Sequence, residues 1–264
     1  MESWRGEDTV KKSHFQFIFN SFSIHFQFIF ILSLLSLEVR VESQELIWSG
    51  RRLLPSETVE DVGLRHGDVM TALVKPQLVT TDRAFALRRG GVVTWGDVEM
   101  GGDCSGIQDR LREVCHLVAC GHAFAGLLPD GSVATWGKPE FGGDSKLVEA
   151  ELRHVIQIEA SSSAFAARLS DGSVVTWGNP ACGGDSTAVR DRLKTVQDIK
   201  ATAGAFAARL ADGSVVTWGN SWCGGDSERV KLKDVKQIKA TKYAFAALMA
   251  GSQAAFCVDV QQLR

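Results

Sequence analysis

Cys115, His116, Cys120 and His122 form the one concentration of soft metal ligands in the chain. Zinc takes four thiolate or imidazole donors at defined spacings, and this cluster matches no zinc motif well. A second candidate is repeated: Asp103, Asp144, Asp185 and Asp226 each end a Gly-Gly-Asp triplet. Hard cations such as calcium need several oxygen ligands from one loop, and the neighbours of these aspartates do not supply them. A short acidic side chain beside glycines more often caps a turn, which is the role expected here. No Gly-x-Ser-x-Gly, His-Glu-x-x-His or phosphate-loop pattern is present, and Ser, His and Asp fall into no recognisable catalytic order. The expectation is a non-enzymatic protein without catalytic residue, cofactor or metal.

The elements that carry these residues repeat. Trp95, Trp136, Trp177 and Trp218 are each 41 residues apart, each begins Trp-Gly, and each precedes a Gly-Gly-Asp. Ala-Phe-Ala triplets centred on Phe85, Phe124, Phe165 and Phe206 lie before them, and a fifth is centred on Phe245. The first copy is short, AFALRRGGVVTWG, and the fifth is degraded, with Cys257 read as standing at its Trp position. Within a copy, AFAARL and SVVTWG are β-rich runs joined by Asp-Gly, which predicts a hairpin because both residues tolerate positive φ. A further apolar run, Val196–Ile199 or Val235–Ile238, precedes the hairpin. One hairpin cannot bury both faces, whereas stacked copies can. The expected fold is mainly β, an incomplete and open propeller-like array of tandem repeats, with the repeated Trp residues in its core.

The stretch VACGHAFAGLLPDGSVATWG, Val118–Gly137, resembles the repeat of the regulator of chromosome condensation family. The 41-residue period is more similar to β-lactamase inhibitor protein II of the same propeller superfamily. The resemblance implies blades of a propeller and assigns His122 a structural place within one. It implies no single function, because the scaffold serves several roles. One branch promotes nucleotide exchange on a small GTPase, so that is an alternative expectation. An eroded fragment without a function of its own is another.

Upstream, QELIWSGRRLLPSETVEDVGLRHGDVMTALVK, from Gln44 to Lys75, resembles the second half of a ubiquitin-like domain. That resemblance places strands at Leu46–Trp48, Arg52–Leu54 and Val69–Val74 and makes Ile47 an apolar contact residue. Leu37–Val41, LEVRV, reads as a further strand. The helix usual between the first two strands has no room, since only Glu42 to Glu45 separates them. Before this lies an apolar stretch, Phe15–Leu37, in which HFQFIF occurs twice. Its length suits a membrane anchor, which is one expectation; a cleaved signal and an added low-complexity tail are the others. The expected division is 1–36 for this segment, 37–76 for the ubiquitin-like segment and 77–264 for the repeats.

Charge and cysteine usage narrow the partners. Lys plus Arg is 29 and Asp plus Glu is 31, a formal charge of −2, which gives no basic footprint for nucleic acid. The six cysteines show no paired spacing, and a chain with enough core needs no disulfide framework, so reduced and mostly buried thiols are expected. Such repeats fit cytoplasm or nucleus. A protein partner is expected, with a membrane contact only through Phe15–Leu37. The residues between Trp-Gly and Gly-Gly-Asp differ in every copy, and a constant frame with variable loops on one rim is how repeat proteins bind. Phe141, Trp222 and Met100 lie in those loops and, with Ile47, are the candidate partner contacts.

Overall fold

The computed structural model describes residues 76–89, 91–227 and 232–250, together with the backbone of strands at 15–18, 44–48, 51–52, 69–74 and 255–258. Those first four strands are β1 Phe15–Ile18, β2 Gln44–Trp48, β3 Arg51–Arg52 and β4 Val69–Val74. They make one sheet in the order β1-β4-β2-β3. Both β1 and β2 run antiparallel to β4. Strands are therefore present at Leu46–Trp48 and Val69–Val74, whereas the short one shares only Arg52 with the expected Arg52–Leu54, and these strands alone do not establish a ubiquitin-like segment. The opening of the apolar stretch is an edge strand, whereas an anchor would be helical there. The rest of that stretch and Leu37–Val41 lie outside the described residues.

From Gln77 onward the chain forms five three-stranded antiparallel sheets, taken here as blades 1 to 5. Blade 1 is β5 Gln77–Thr80, β6 Ala84–Arg88 and β7 Val92–Gly96. Blade 2 is β8 His116–Ala119, β9 Ala123–Leu127 and β10 Val133–Gly137. Blade 3 is β11 Val155–Ala160, β12 Ala164–Leu169 and β13 Val174–Gly178. Blade 4 is β14 Val196–Ala201, β15 Ala205–Leu210 and β16 Val215–Gly219. Blade 5 is β17 Val235–Ala240, β18 Phe245–Met249 and β19 Ala255–Val258. The chain is mainly β, and among the described residues the blade array is open.

Strand alternation explains the stacking. Side chains of successive residues point to opposite faces of a sheet. In Ala-Phe-Ala the two alanines therefore share one face and the phenylalanine takes the other. Ala123 and Ala125 of blade 2 cluster with Phe165, Ala167 and Trp177 of blade 3. Ala84 and Ala86 pack the same way on Phe124 and Trp136, and Ala164 and Ala166 on Phe206 and Trp218. Ala205 and Ala207 pack on Phe245 and Ala247. The small forward face lets the large backward face of the next blade approach closely, so each junction buries an aromatic residue at the depth of a true core.

The hairpins expected at Asp-Gly are present, with loops longer than two residues. Gly131, Gly172 and Gly213 have positive φ, but the aspartates before them do not. The loops are longer, with Leu128 N–H donating to the Ser132 carbonyl and Gly131 N–H to the Leu128 carbonyl. Each aspartate instead accepts from the serine two residues on, as Asp171 does from the Ser173 N–H at 2.9 Å. The glycines face the next blade: Val155, Val196 and Val235 each donate an N–H to the Gly131, Gly172 or Gly213 carbonyl. A further correction concerns blade 5. Its register sets Val258, not Cys257, opposite Phe245, the place of Trp218 opposite Phe206 in blade 4.

Candidate protein-binding rim

At one end of blades 1 to 4 two connections meet. The bend between the first and second strands lies beside the turn that follows Trp-Gly. Asp97, Lys138, Asn179 and Asn220 donate their N–H groups to the carbonyls of Arg83, His122, Ser163 and Gly204 respectively. These four pairs, with the fifth bend at 241–243, make up the rim.

Each turn has a constant frame. A single 3-10 turn spans Val98–Met100, Pro139–Phe141, Pro180–Cys182 and Ser221–Cys223. Asp97, Asn179 and Asn220 cap it by accepting from the N–H two residues on. Pro139 presets the helical φ where Lys138 offers no cap. The glycine that follows takes the left-handed conformation, with φ between 87° and 98°. A Cβ on Gly142 would stand 2.6 Å from the Phe165 ring, so the glycine is needed both for φ and for close approach. The aspartates of Gly-Gly-Asp cap the next turn: Asp103, Asp144 and Asp185 accept from Ser105, Lys146 and Thr187 N–H groups at 2.8–2.9 Å. That is the capping role expected of them.

Within this frame the candidate contacts separate. Trp222 is 66% exposed and projects from the middle of its turn. Phe141 sits one position later in its own turn, the position of Met100, Cys182 and Cys223, where the chain turns inward. Its ring lies on His122, centroids 4.4 Å apart, with the Lys138 ammonium 5.2 Å from it. Met100 packs partly buried against the first junction. Phe141 and Trp222 therefore do not occupy equivalent places, although both belong to the rim. Ile47 lies in β2 opposite Thr71 and Arg52, and its side chain is outside the described residues. Sequence reasoning missed Tyr243, 55% exposed on the fifth bend, with Lys242 over its ring at 5.3 Å. Its signal was available, since it follows the repeat alignment of His122 in a copy set aside as degraded.

The soft-ligand cluster is dispersed by the fold. His116 begins β8, whereas Cys120 and His122 lie at the bend that follows it. The Cys115 thiol donates to the Leu127 carbonyl and the Cys120 thiol to that of Phe141. Burial pushes the Cys120 thiol above its ordinary value, which disfavours the thiolate a metal would need. Among the described residues no group of three or more His, Cys, Asp or Glu side chains could hold a metal ion. The described cysteines are free; Cys104, Cys115, Cys120 and Cys223 are buried and Cys182 is half-buried. No helix among the described residues is long and apolar enough to cross a membrane.

No family model and no curated protein matches the chain. Among solved structures it is similar to yeast RCC1 (Prp20), in complex with Kap60, at 15% identity and a TM-score of 0.44, covering 69% of this chain and 56% of that one. It is similar to Prp20p from Saccharomyces cerevisiae at 13% identity and a TM-score of 0.45, covering 88% and 68%. A third is the ectodomain of the Physcomitrella patens receptor kinase CR4, at 17% identity and a TM-score of 0.47, covering 73% and 55%. The chain thus spans just over half the length of the first and third of these. The propeller-type architecture stands on the five repeated sheets and their junctions.

Proposed function

We propose that the chain is a non-enzymatic protein-binding scaffold that engages its partner through the rim of capped turns. The observation that supports this reading is Trp222, a large aromatic side chain held out in solvent by a turn that is fixed on both sides. Asn220 caps the turn's start and Gly224 its end, so little further ordering is required on binding. Exposed, preordered aromatic residues are the commonest energetic anchors of protein interfaces. Phe141 contributes an edge steadied by His122 and Lys138, and Met100 the flank of the first turn. The link to ubiquitin signalling through Ile47 rests on sequence resemblance alone and adds nothing to this reading.

The test is a comparison of proteins captured from native lysate by the wild-type chain and by a Phe141→Ser, Trp222→Ser double variant that still melts cooperatively. Loss of specific partners with folding intact supports the rim. The same partners at the same strength exclude it. A small GTPase among the lost partners, released of nucleotide by the chain, favours the exchange-factor reading. No specific partner for either form favours an eroded fragment.

A further inference from the structure

The two ends of the blade array are unlike each other and complementary. Blade 1 turns its backward face outward. Phe85 and Trp95 keep the stack seen in later blades, centroids 5.5 Å apart and nearly parallel, yet they are 41% and 43% exposed. Leu78 and Val93 are exposed beside them. In blades 2 to 4 the matching Phe is fully buried and the Trp is 4–5% exposed, because an upstream blade covers them. Blade 5 shows the opposite face. Ala244, Ala246 and Leu248 alternate along the Ala-Phe-Ala segment and share the forward side; Ala244 is buried, Ala246 half-buried and Leu248 45% exposed. Its counterpart in blade 2, Leu127, is 2% exposed under blade 3.

A backbone ladder carries the same polarity. The N–H of Asp82 donates to the Gly121 carbonyl, Gly121 to Ser162, Ser162 to Ala203 and Ala203 to Lys242, each at 2.8–2.9 Å. Every rung runs from one bend to the next. Among the described residues the ladder ends with the Asp82 carbonyl at one side and the Lys242 N–H at the other. These are an acceptor and a donor, and the side chains of the two residues, both exposed, carry opposite charge.

We propose that a second copy of this chain occupies the open face of blade 1, joining head to tail so that blade 5 of one copy packs on blade 1 of the next. The junction repeats a geometry that the chain already makes within itself: alanines against a Phe–Trp face, as at three of its junctions, with one ladder rung, as at all four, here from Lys242 N–H to the Asp82 carbonyl. The Lys242 ammonium and Asp82 carboxylate then lie at adjacent bends and attract. An interface between two different surfaces leaves one free end on each partner, so it either closes into a ring or extends as a chain.

The test uses the purified full chain in sedimentation velocity over a concentration series, with two variants. Asp82→Lys with Trp95→Glu spoils only the blade 1 end, and Lys242→Asp with Leu248→Glu only the blade 5 end. All four positions are exposed, so both variants should still fold and melt cooperatively; a melting curve checks this. The wild type is expected as a dimer or larger species that dissociates on dilution. Each variant alone is expected to be monomeric, and their equimolar mixture should return a dimer, because one sound end of each kind remains. A wild type that stays monomeric, as it would if the chain's own upstream residues covered blade 1, overturns the proposal. So does a mixture that stays monomeric, or a variant that still self-associates.

Discussion

The Trp136 indole N–H donates to the carbonyl of Gly101, 3.2 Å away on the preceding blade. Trp177 makes the same bond to Gly142 at 3.1 Å and Trp218 to Gly183 at 3.0 Å. In each case the Trp stacks on the phenylalanine of its own blade, centroids 5.2–5.4 Å apart. The Trp-Gly and Gly-Gly-Asp motifs are thus two halves of one contact, made between neighbouring copies. This is why they recur at a fixed period, and why each blade depends on the one before it.

Trp177→Ala should destabilise the repeats by about 3–5 kcal/mol, the cost of emptying a buried aromatic site. Trp177→Phe keeps much of the volume but leaves the Gly142 carbonyl without its donor, and should cost about 1–3 kcal/mol. Trp95→Ala removes a half-exposed ring with no upstream blade, and should cost about 1 kcal/mol or less in the monomer. Denaturant melts of the three variants give the ranking, and an equal loss for Trp95 and Trp177 would contradict the open first blade.

Much of this was legible because side-chain alternation and a fixed period act locally and repeatedly. The strands, their order within a blade and the capping aspartates follow from Ala-Phe-Ala, Trp-Gly and Gly-Gly-Asp. The exposure of Trp95 was not legible. Its own copy carries the full motif, and only the neighbouring blade decides whether the ring is covered. The same holds for Phe141 and Trp222, which look alike in sequence but differ by one position in a 3-10 turn, where one residue changes the direction of the side chain by about a third of a turn. The Val258 register was missed because the fifth hairpin carries one more residue between Phe245 and the partner strand than blades 2 to 4 do.

Gly142→Ala should cost at least about 2 kcal/mol. The positive φ of 98° strains any L residue by about 1 kcal/mol or more. The added methyl would also meet the buried Phe165 ring, which cannot withdraw from a packed core. Gly91→Ala, also at positive φ but with nothing within 4 Å, should show the backbone part alone. A melt in which the two variants lose equal stability would show that the contact with Phe165 relaxes freely.

Thiol reactivity should follow burial. In a Cys257→Ser background under native conditions, Cys182 should be the first of the described cysteines to react with a disulfide reagent, since it alone is half-exposed. Cys120 should be slow twice over, being buried and held protonated by desolvation. Mass spectrometry of the labelled peptides over time reads the order. Early labelling of Cys120 with the fold intact would mean that the bend around His122 opens.

The last prediction concerns acid. Asp130, Asp171 and Asp212 are each held below the usual carboxylate range, first by the hydroxyl and then by the N–H of the serine two residues on. A depressed pKa in the folded state means that the interaction contributes fully above the ordinary aspartate value. The contribution is lost as pH falls through that value to the depressed one. Because all three groups are largely solvated, the energy involved is small, and the titration itself is the better readout. Ser173→Ala removes the 2.7 Å hydroxyl bond to Asp171 and leaves the 2.9 Å bond from the backbone. The Asp171 midpoint, followed by carboxyl-carbon NMR, should then rise toward the ordinary value without reaching it, while Asp130 and Asp212 stay where they are. An unmoved Asp171 midpoint would show that the backbone N–H alone holds the carboxylate, and a full return to the ordinary value would show that the serine hydroxyl orders the whole turn.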